Sequence, residues 1–108
     1  MKPRAERMAQ TAEGPVLQGI ACRACKARGF PPARFCRSCH SQDIDTVALA
    51  RSGRIEAAGC YEGTAFGEIR LGDGMLVAGR IEPADKARVG RSVTFVPKDD
   101  LVRFEIND

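Results

Sequence analysis

Apolar and polar residues alternate with a period of two through the second half of the chain, the pattern of strands that bury one face. Over residues 53–61 the alternation sets Ile55, Ala57 and Tyr61 on one face, with Arg54, Glu56, Ala58 and Cys60 on the other. Residues 66–71 place Ile69 and Leu71 against Glu68 and Arg70, and 75–82 place Met75, Val77, Gly79 and Ile81 against Leu76, Ala78, Arg80 and Glu82. Between these two runs, Gly72-Asp73-Gly74 predicts a hairpin turn, because glycine accepts the positive φ that tight turns require. Residues 83–88 read as a connection with one helical turn. Two further strands follow over 92–97 (Val93 and Phe95 inward) and 101–106 (Val102, Phe104 and Ile106). Five short antiparallel strands in this length predict a small Greek-key barrel of OB type. Glycines 59, 67 and 79 fall inside strand patterns, where bulges and sharp barrel coiling are expected. Cys60 is expected to be buried or half-buried in its strand, and the five phenylalanines to be mostly buried or attached to the first half.

The first half is less regular. Residues 3–13 suit a short helix, with Pro3 near its start and Gly14-Pro15 as its stop. A short strand is predicted over 16–20 and another over 45–49. Phe30-Pro31-Pro32 is read as extended, since proline locks φ and keeps its predecessor out of the α region. The division expected is an N-terminal segment over 1–15, a small metal-bound unit over 16–50 and the barrel over 51–108.

Cysteine spacing changes the picture most. Four of the five cysteines form two Cys-x-x-Cys pairs, Cys22/Cys25 and Cys36/Cys39, ten residues apart. Two such turns can close a sulfur tetrahedron around one Zn²⁺ with bonds of about 2.3 Å. So short a link predicts a tight hairpin between the pairs rather than a helix. A unit this small builds little core and needs a cross-link. Zinc binding coupled to folding supplies on the order of 10–16 kcal/mol. Four thiolates leave no open coordination position, so the metal is read as structural.

Three alternatives compete for these residues. Disulfides need an oxidising compartment, and residues 1–15 hold no apolar stretch of the kind that directs export. No apolar run approaches the length of a membrane span. A reducing cytoplasm is therefore expected. Cys36-Arg37-Ser38-Cys39-His40 also matches the c-type haem attachment string, but haem would leave Cys22 and Cys25 unexplained. A single iron would suit the same four sulfurs and make an electron carrier. His40, the only histidine, is read as a solvated residue of the second turn.

The 108-residue chain has a net charge of +3. Residues 1–51 carry nine basic and four acidic side chains, whereas 52–108 carry eight basic and ten acidic ones. Arg23, Lys26, Arg28, Arg34 and Arg37 could meet phosphates or an acidic protein surface. A nucleic-acid-binding module is the alternative reading, since barrels of this type serve there. The acidic balance of the barrel, the absence of tryptophan and the single tyrosine argue against it. With one histidine, no carboxylate dyad and no phosphate-cradling glycine loop, neither catalytic nor cofactor-binding residues are assigned.

The string 22–41, CRACKARGFPPARFCRSCHS, resembles a family of small proteins in which a rubredoxin-like zinc ribbon precedes an OB-fold. Ser52-Gly53-Arg54-Ile55, Leu71-Gly72-Asp73-Gly74 and Val89-Gly90-x-x-Val93 resemble the family's barrel motifs, so the likeness covers about 17–97. Two departures stand out. Lys26 and His40 replace the glycine that usually follows each second cysteine, and the connection 62–65 is short. That shortness resembles the small subunits of heteromeric thiolases such as benzoylsuccinyl-CoA thiolase. The resemblance implies a mainly β chain with one structural Zn²⁺ on Cys22, Cys25, Cys36 and Cys39. It also implies a non-catalytic accessory role beside a thiolase-fold catalytic subunit, in a hetero-oligomer that has a CoA ester at the shared interface.

Overall fold

A computed structural model describes residues 7–98 and 101–107, and the chain divides between Leu49 and Ala50 into two units. Both are built of strands.

The first unit is organised by one long strand, β2 (Gly14–Cys22). β1 (Met8–Thr11) pairs with its first part. β3 (Arg28–Gly29) and β4 (Ile44–Ala48) pair with its second part, all antiparallel. Val16, Leu17, Ile20 and Leu49 are buried here, together with Cys22 and Cys36. Gly19 makes the β3 approach possible, since a Cβ there would lie 2.5 Å from the Gly29 carbonyl oxygen. The strand predicted over 16–20 is therefore longer, and that over 45–49 is shifted by one residue.

The helix expected over 3–13 is not formed in its described part, 7–13; residues 3–6 lie outside the described residues. Met8–Thr11 is a strand instead. Gly14 at φ 117° turns the chain back. The Thr11 hydroxyl fastens the turn, donating to the Gly14 carbonyl at 2.7 Å and accepting the Glu13 amide at 3.2 Å. This segment lacks the apolar stripe that would hold a helix down, whereas pairing with β2 satisfies its backbone.

The second unit is a closed barrel of β5 (Ser52–Tyr61), β6 (Thr64–Leu71), β7 (Leu76–Glu82), β8 (Ser92–Phe95) and β9 (Arg103–Ile106). The order around it is β5-β6-β7-β9-β8, with β5 pairing β8 to close the ring and β7–β9 as the parallel pair. A single 3₁₀ turn, Ala84–Lys86, lies between β7 and β8. Ile55, Ala65, Ile69, Leu71, Val77, Ile81, Val93, Phe95 and Phe104 fill the interior, with the rings of Phe95 and Phe104 5.6 Å apart. Arg103 ties β7 to β9, its Nε donating to Glu82 Oε1 and its Nη2 to Glu105 Oε2, both at 2.6 Å. The mainly β ribbon-and-barrel architecture is thus as expected, and among the described residues there is no α-helix.

Several details differ from expectation. The bulge lies in β5, where the register shifts between Ile55 and Ala57, and not at glycines 59, 67 or 79. The extra residue, Glu56, inverts the in–out alternation beyond it. Ile55 is buried, but Ala57 and Tyr61 are exposed rather than inward. Cys60, expected to be at least half-buried, is exposed as well. Phe66 and Phe35 are also exposed, so the phenylalanines are less covered than predicted. Gly67 and Gly79 serve close approach: a Cβ at Gly67 would meet the Ala57 carbonyl oxygen at 2.2 Å, and one at Gly79 the Val102 oxygen at 2.9 Å.

Gly67→Ala should therefore destabilise the barrel by about 1–3 kcal/mol through overpacking. Gly59→Ala, where nothing lies within 4 Å, should change stability by no more than about 1 kcal/mol, in the favourable direction. Chemical denaturation of the two variants checks the contrast.

Candidate metal centre

Cys22 ends β2, and the chain then turns through Cys25 into β3; Cys36 and Cys39 sit on a second turn before β4. The two turns are built alike. Cys22 N–H donates to Ala27 O and Cys36 N–H to Ser41 O, each at 2.8 Å. Lys26 N–H returns to Cys22 O at 3.1 Å and His40 N–H to Cys36 O at 2.8 Å. These bonds require a left-handed residue after each second cysteine, and Lys26 (φ 69°) and His40 (φ 65°) adopt it, a backbone that glycine takes at less cost.

The four Sγ atoms lie within 4.8 Å of one another. Cys22 and Cys39 approach to 3.6 Å, and Cys25 and Cys36 to 3.5 Å. A sulfur tetrahedron with bonds of about 2.3 Å has edges of about 3.8 Å, so the cluster fits a single ion. Backbone amides already polarise it. The Cys25 amide pulls the Cys22 thiol below its usual range, and it lies 3.4 Å from that sulfur. The Cys39 and Ser38 amides pull Cys36 down to about 6. The Ala27 amide acts in the same sense on Cys25, but the sulfurs of Cys36, Cys39 and Cys22, with burial, outweigh it and push Cys25 up to about 12. Four thiolates cannot be charged together at this spacing without a cation among them. A soft, four-sulfur donor set suits zinc or a single iron, and it leaves no coordination position for a substrate.

His40 is not in the sulfur group. Its ring packs edge-on against Phe35, with centroids 6.1 Å apart. The haem reading fares poorly, since Cys36 and Cys39 share their cluster with the first pair. Arg23, one of the basic residues considered for phosphate or acidic partners, is satisfied within the unit. Its Nη1 meets Asp43 Oδ1 at 3.0 Å, its Nε meets Asp45 Oδ2 at 2.9 Å, and Nη2 also pairs with Asp45. Hydrogen bonding to Asp45 and then Asp43 raises the Arg23 pKa further. Arg37 donates to the Pro31 carbonyl at 2.9 Å. Lys26, Arg28, Arg34 and Arg37 remain exposed.

On the barrel, an open cleft of about 440 Å³ is lined by Thr64, Arg80, Glu82, Pro83, Arg103 and Glu105, among others. Its arginines face its own carboxylates: Arg80 Nε is 3.1 Å from Glu82 and Arg103 bridges Glu82 and Glu105. The cleft is thus neutralised internally, which does not suit it to a polyanion.

No protein-family model matches the chain. It is similar to the benzoylsuccinyl-CoA thiolase subunit BbsA of Thauera aromatica, being 28% identical over 78 residues, which cover 65% of this chain and 54% of that protein. The chain thus spans about half the length of the curated relative it matches. Among solved structures it is similar to an Ltp2-ChsH2(DUF35) aldolase, with a TM-score of 0.63 and 23% identity over 84% of each chain. That second likeness is one of fold. A ribbon with four clustered cysteines, followed by a five-stranded barrel, fits the accessory protein that the sequence resembles.

Elemental analysis should find one metal ion per chain. Cys36→Ser should lose the ion and the ordered first unit together, as should chelation, while the barrel amides stay protected in hydrogen exchange. Cys60→Ser and His40→Ala should keep one ion per chain.

Proposed function

We propose that this chain is a zinc-binding accessory subunit of a thiolase-type acyl-CoA enzyme, doing no chemistry by itself. The observation that carries the reading is the similarity to a thiolase subunit, in a chain whose metal ligands form a closed four-sulfur set. Zinc bound by Cys22, Cys25, Cys36 and Cys39 would act through folding, holding the two turns in a fixed shape. The carbon–carbon bond cleavage or formation would then belong to a thiolase-fold partner in a hetero-oligomer, with this chain supporting assembly, stability or entry of the CoA ester. A reducing cytoplasm suits such a centre, since oxidation of the thiols would expel the ion.

One feature favours a nucleic-acid module: Tyr61 and Phe66, 74% and 52% exposed, lie on the barrel surface as stacking residues would. Their neighbours oppose it. Glu62 and Glu68 are exposed beside them, and a phosphate backbone needs cations there. Tyr61 and Phe66 fit a protein interface better, where aromatic residues are enriched.

Co-expression with the thiolase-type proteins of the same genome tests the proposal. One of them should purify with this chain and lose at least tenfold in acyl-CoA turnover without it. Full turnover by the enzyme alone would refute the accessory role. Oligonucleotide binding that weakens steeply with salt would establish the nucleic-acid reading in its place.

A further inference from the structure

β5 pairs with β6 along its length, but with β8 only over Ser52–Arg54. The last bonds on its β8-facing edge are made by Ile55, whose N–H reaches Arg91 O at 3.0 Å and whose carbonyl accepts Gly90 N–H at 2.8 Å. Beyond the bulge at Glu56 that edge runs on to Tyr61. Glu62 (φ 51°) and Gly63 (φ 78°) then form a two-residue turn. In such a turn the flanking residues, here Tyr61 and Thr64, exchange both backbone bonds. Alternation therefore points the amides and carbonyls of Ala57, Gly59 and Tyr61 toward β6, and those of Ala58 and Cys60 away from it. Among the described residues no backbone group meets Ala58 or Cys60 on that side.

Edges of this kind are normally blunted by charge or proline. Residues 57–61, Ala-Ala-Gly-Cys-Tyr, carry neither and are all exposed. Gly59 adds an independent sign. It has no positive φ, and nothing lies within 4 Å of a Cβ built on it. Neither backbone conformation nor internal packing calls for a glycine there, in contrast to Gly67. A strand glycine without an internal cause fits the close approach of another backbone. Gly59 opposes Phe66 on β6, and Tyr61 opposes Thr64, so Gly59 leaves a notch beside two exposed aromatic rings.

We infer that the β5 edge over Ala57–Tyr61 is a strand-addition site for an extended segment of the catalytic partner, hydrogen-bonded to the backbone of Ala58 and Cys60. The inference rests on the accessory reading above. The segment's chemistry follows from the edge. A large apolar or aromatic side chain fits over Gly59, as edge glycines are rescued by aromatic neighbours. A lysine or arginine fits opposite Glu62. Charge also disfavours a second copy of this chain paired about Gly59. Antiparallel self-pairing about Gly59 would set Glu56 against the other copy's Glu62, and like charges directly opposed are destabilising.

Hydrogen exchange and one proline substitution test this on the full chain with the co-purified thiolase-type protein. In the free chain the Ala58 and Cys60 amides should exchange fast while Gly59 and Tyr61 are protected. The complex should slow Ala58 and Cys60 at least tenfold. Cys60→Pro removes an outward N–H without touching the β6 ladder, and should weaken the complex at least tenfold where Cys60→Ser does not. A complex that leaves both amides fast, or that tolerates Cys60→Pro, overturns the edge site and leaves the accessory role standing. Should Cys60→Pro not fold, the exchange measurement on the unaltered chain decides alone. A chain that dimerises by itself with both amides protected assigns the edge to a second copy and overturns the proposal. Failure of the unaltered chain to capture any thiolase-type protein removes the accessory reading, and this inference with it.

Discussion

Convergence of four sulfur atoms is the constraint from which the first unit's form follows. Residues 23–43 contain a two-residue strand, two matched turns and a proline-rich link, with Cys36 as their one fully buried apolar side chain. Such a stretch has little hydrophobic burial with which to offset the entropy of ordering it. What it has is a set of amides aimed at Cys22 and Cys36, and a sulfur cluster that a dication would hold together. The left-handed conformations of Lys26 and His40 show how strongly the turn geometry is imposed. Each carries the steric cost that glycine would avoid, because the knuckle hydrogen bonds demand that backbone.

The barrel stands on different physics. Its interior is a continuous set of aliphatic and aromatic side chains from all five strands, and burying each large one stabilises the fold by about 1.5–3 kcal/mol. Arg103 links β7 and β9 at the parallel seam, with its guanidinium divided between Glu82 and Glu105. One inserted residue, Glu56, then decides what the surface offers. Its carboxylate is clasped by Arg70, with Nε at 2.8 Å and Nη2 at 3.1 Å. The phase change it causes turns Ala57, Gly59 and Tyr61 outward. Beyond this irregularity β5 presents an uncovered strand edge and an aromatic surface.

Taken together, these features agree with the docking role proposed above. The four-sulfur site has no vacant position for a reactant. The arginines nearest the acids are occupied by them: Arg23 by Asp43 and Asp45, Arg103 by Glu82 and Glu105. The barrel also presents backbone and exposed aromatic area.

Much of this was legible in the residues themselves. The Cys-x-x-Cys spacing announced the sulfur cluster, because two such turns put four ligands in reach of one ion. Period-two alternation located all five barrel strands, and Gly72-Asp73-Gly74 marked the turn between β6 and β7. Three things were not legible. Residues 7–13 have composition compatible with a helix, and only the pairing of Met8–Thr11 with β2 decides for a strand. The position of the bulge depends on register across β5 and β6, which no local pattern encodes, so the outward turn of Tyr61 was hidden with it. Whether a glycine permits a turn, a close approach or nothing internal depends on what stands opposite, and that separates Gly67 from Gly59. Spacing and periodicity are local properties, and local chemistry was enough to specify the cysteine cluster and the strands. Register and coverage are relations between distant segments, and only their assembly in three dimensions could determine which edge and which faces were left open.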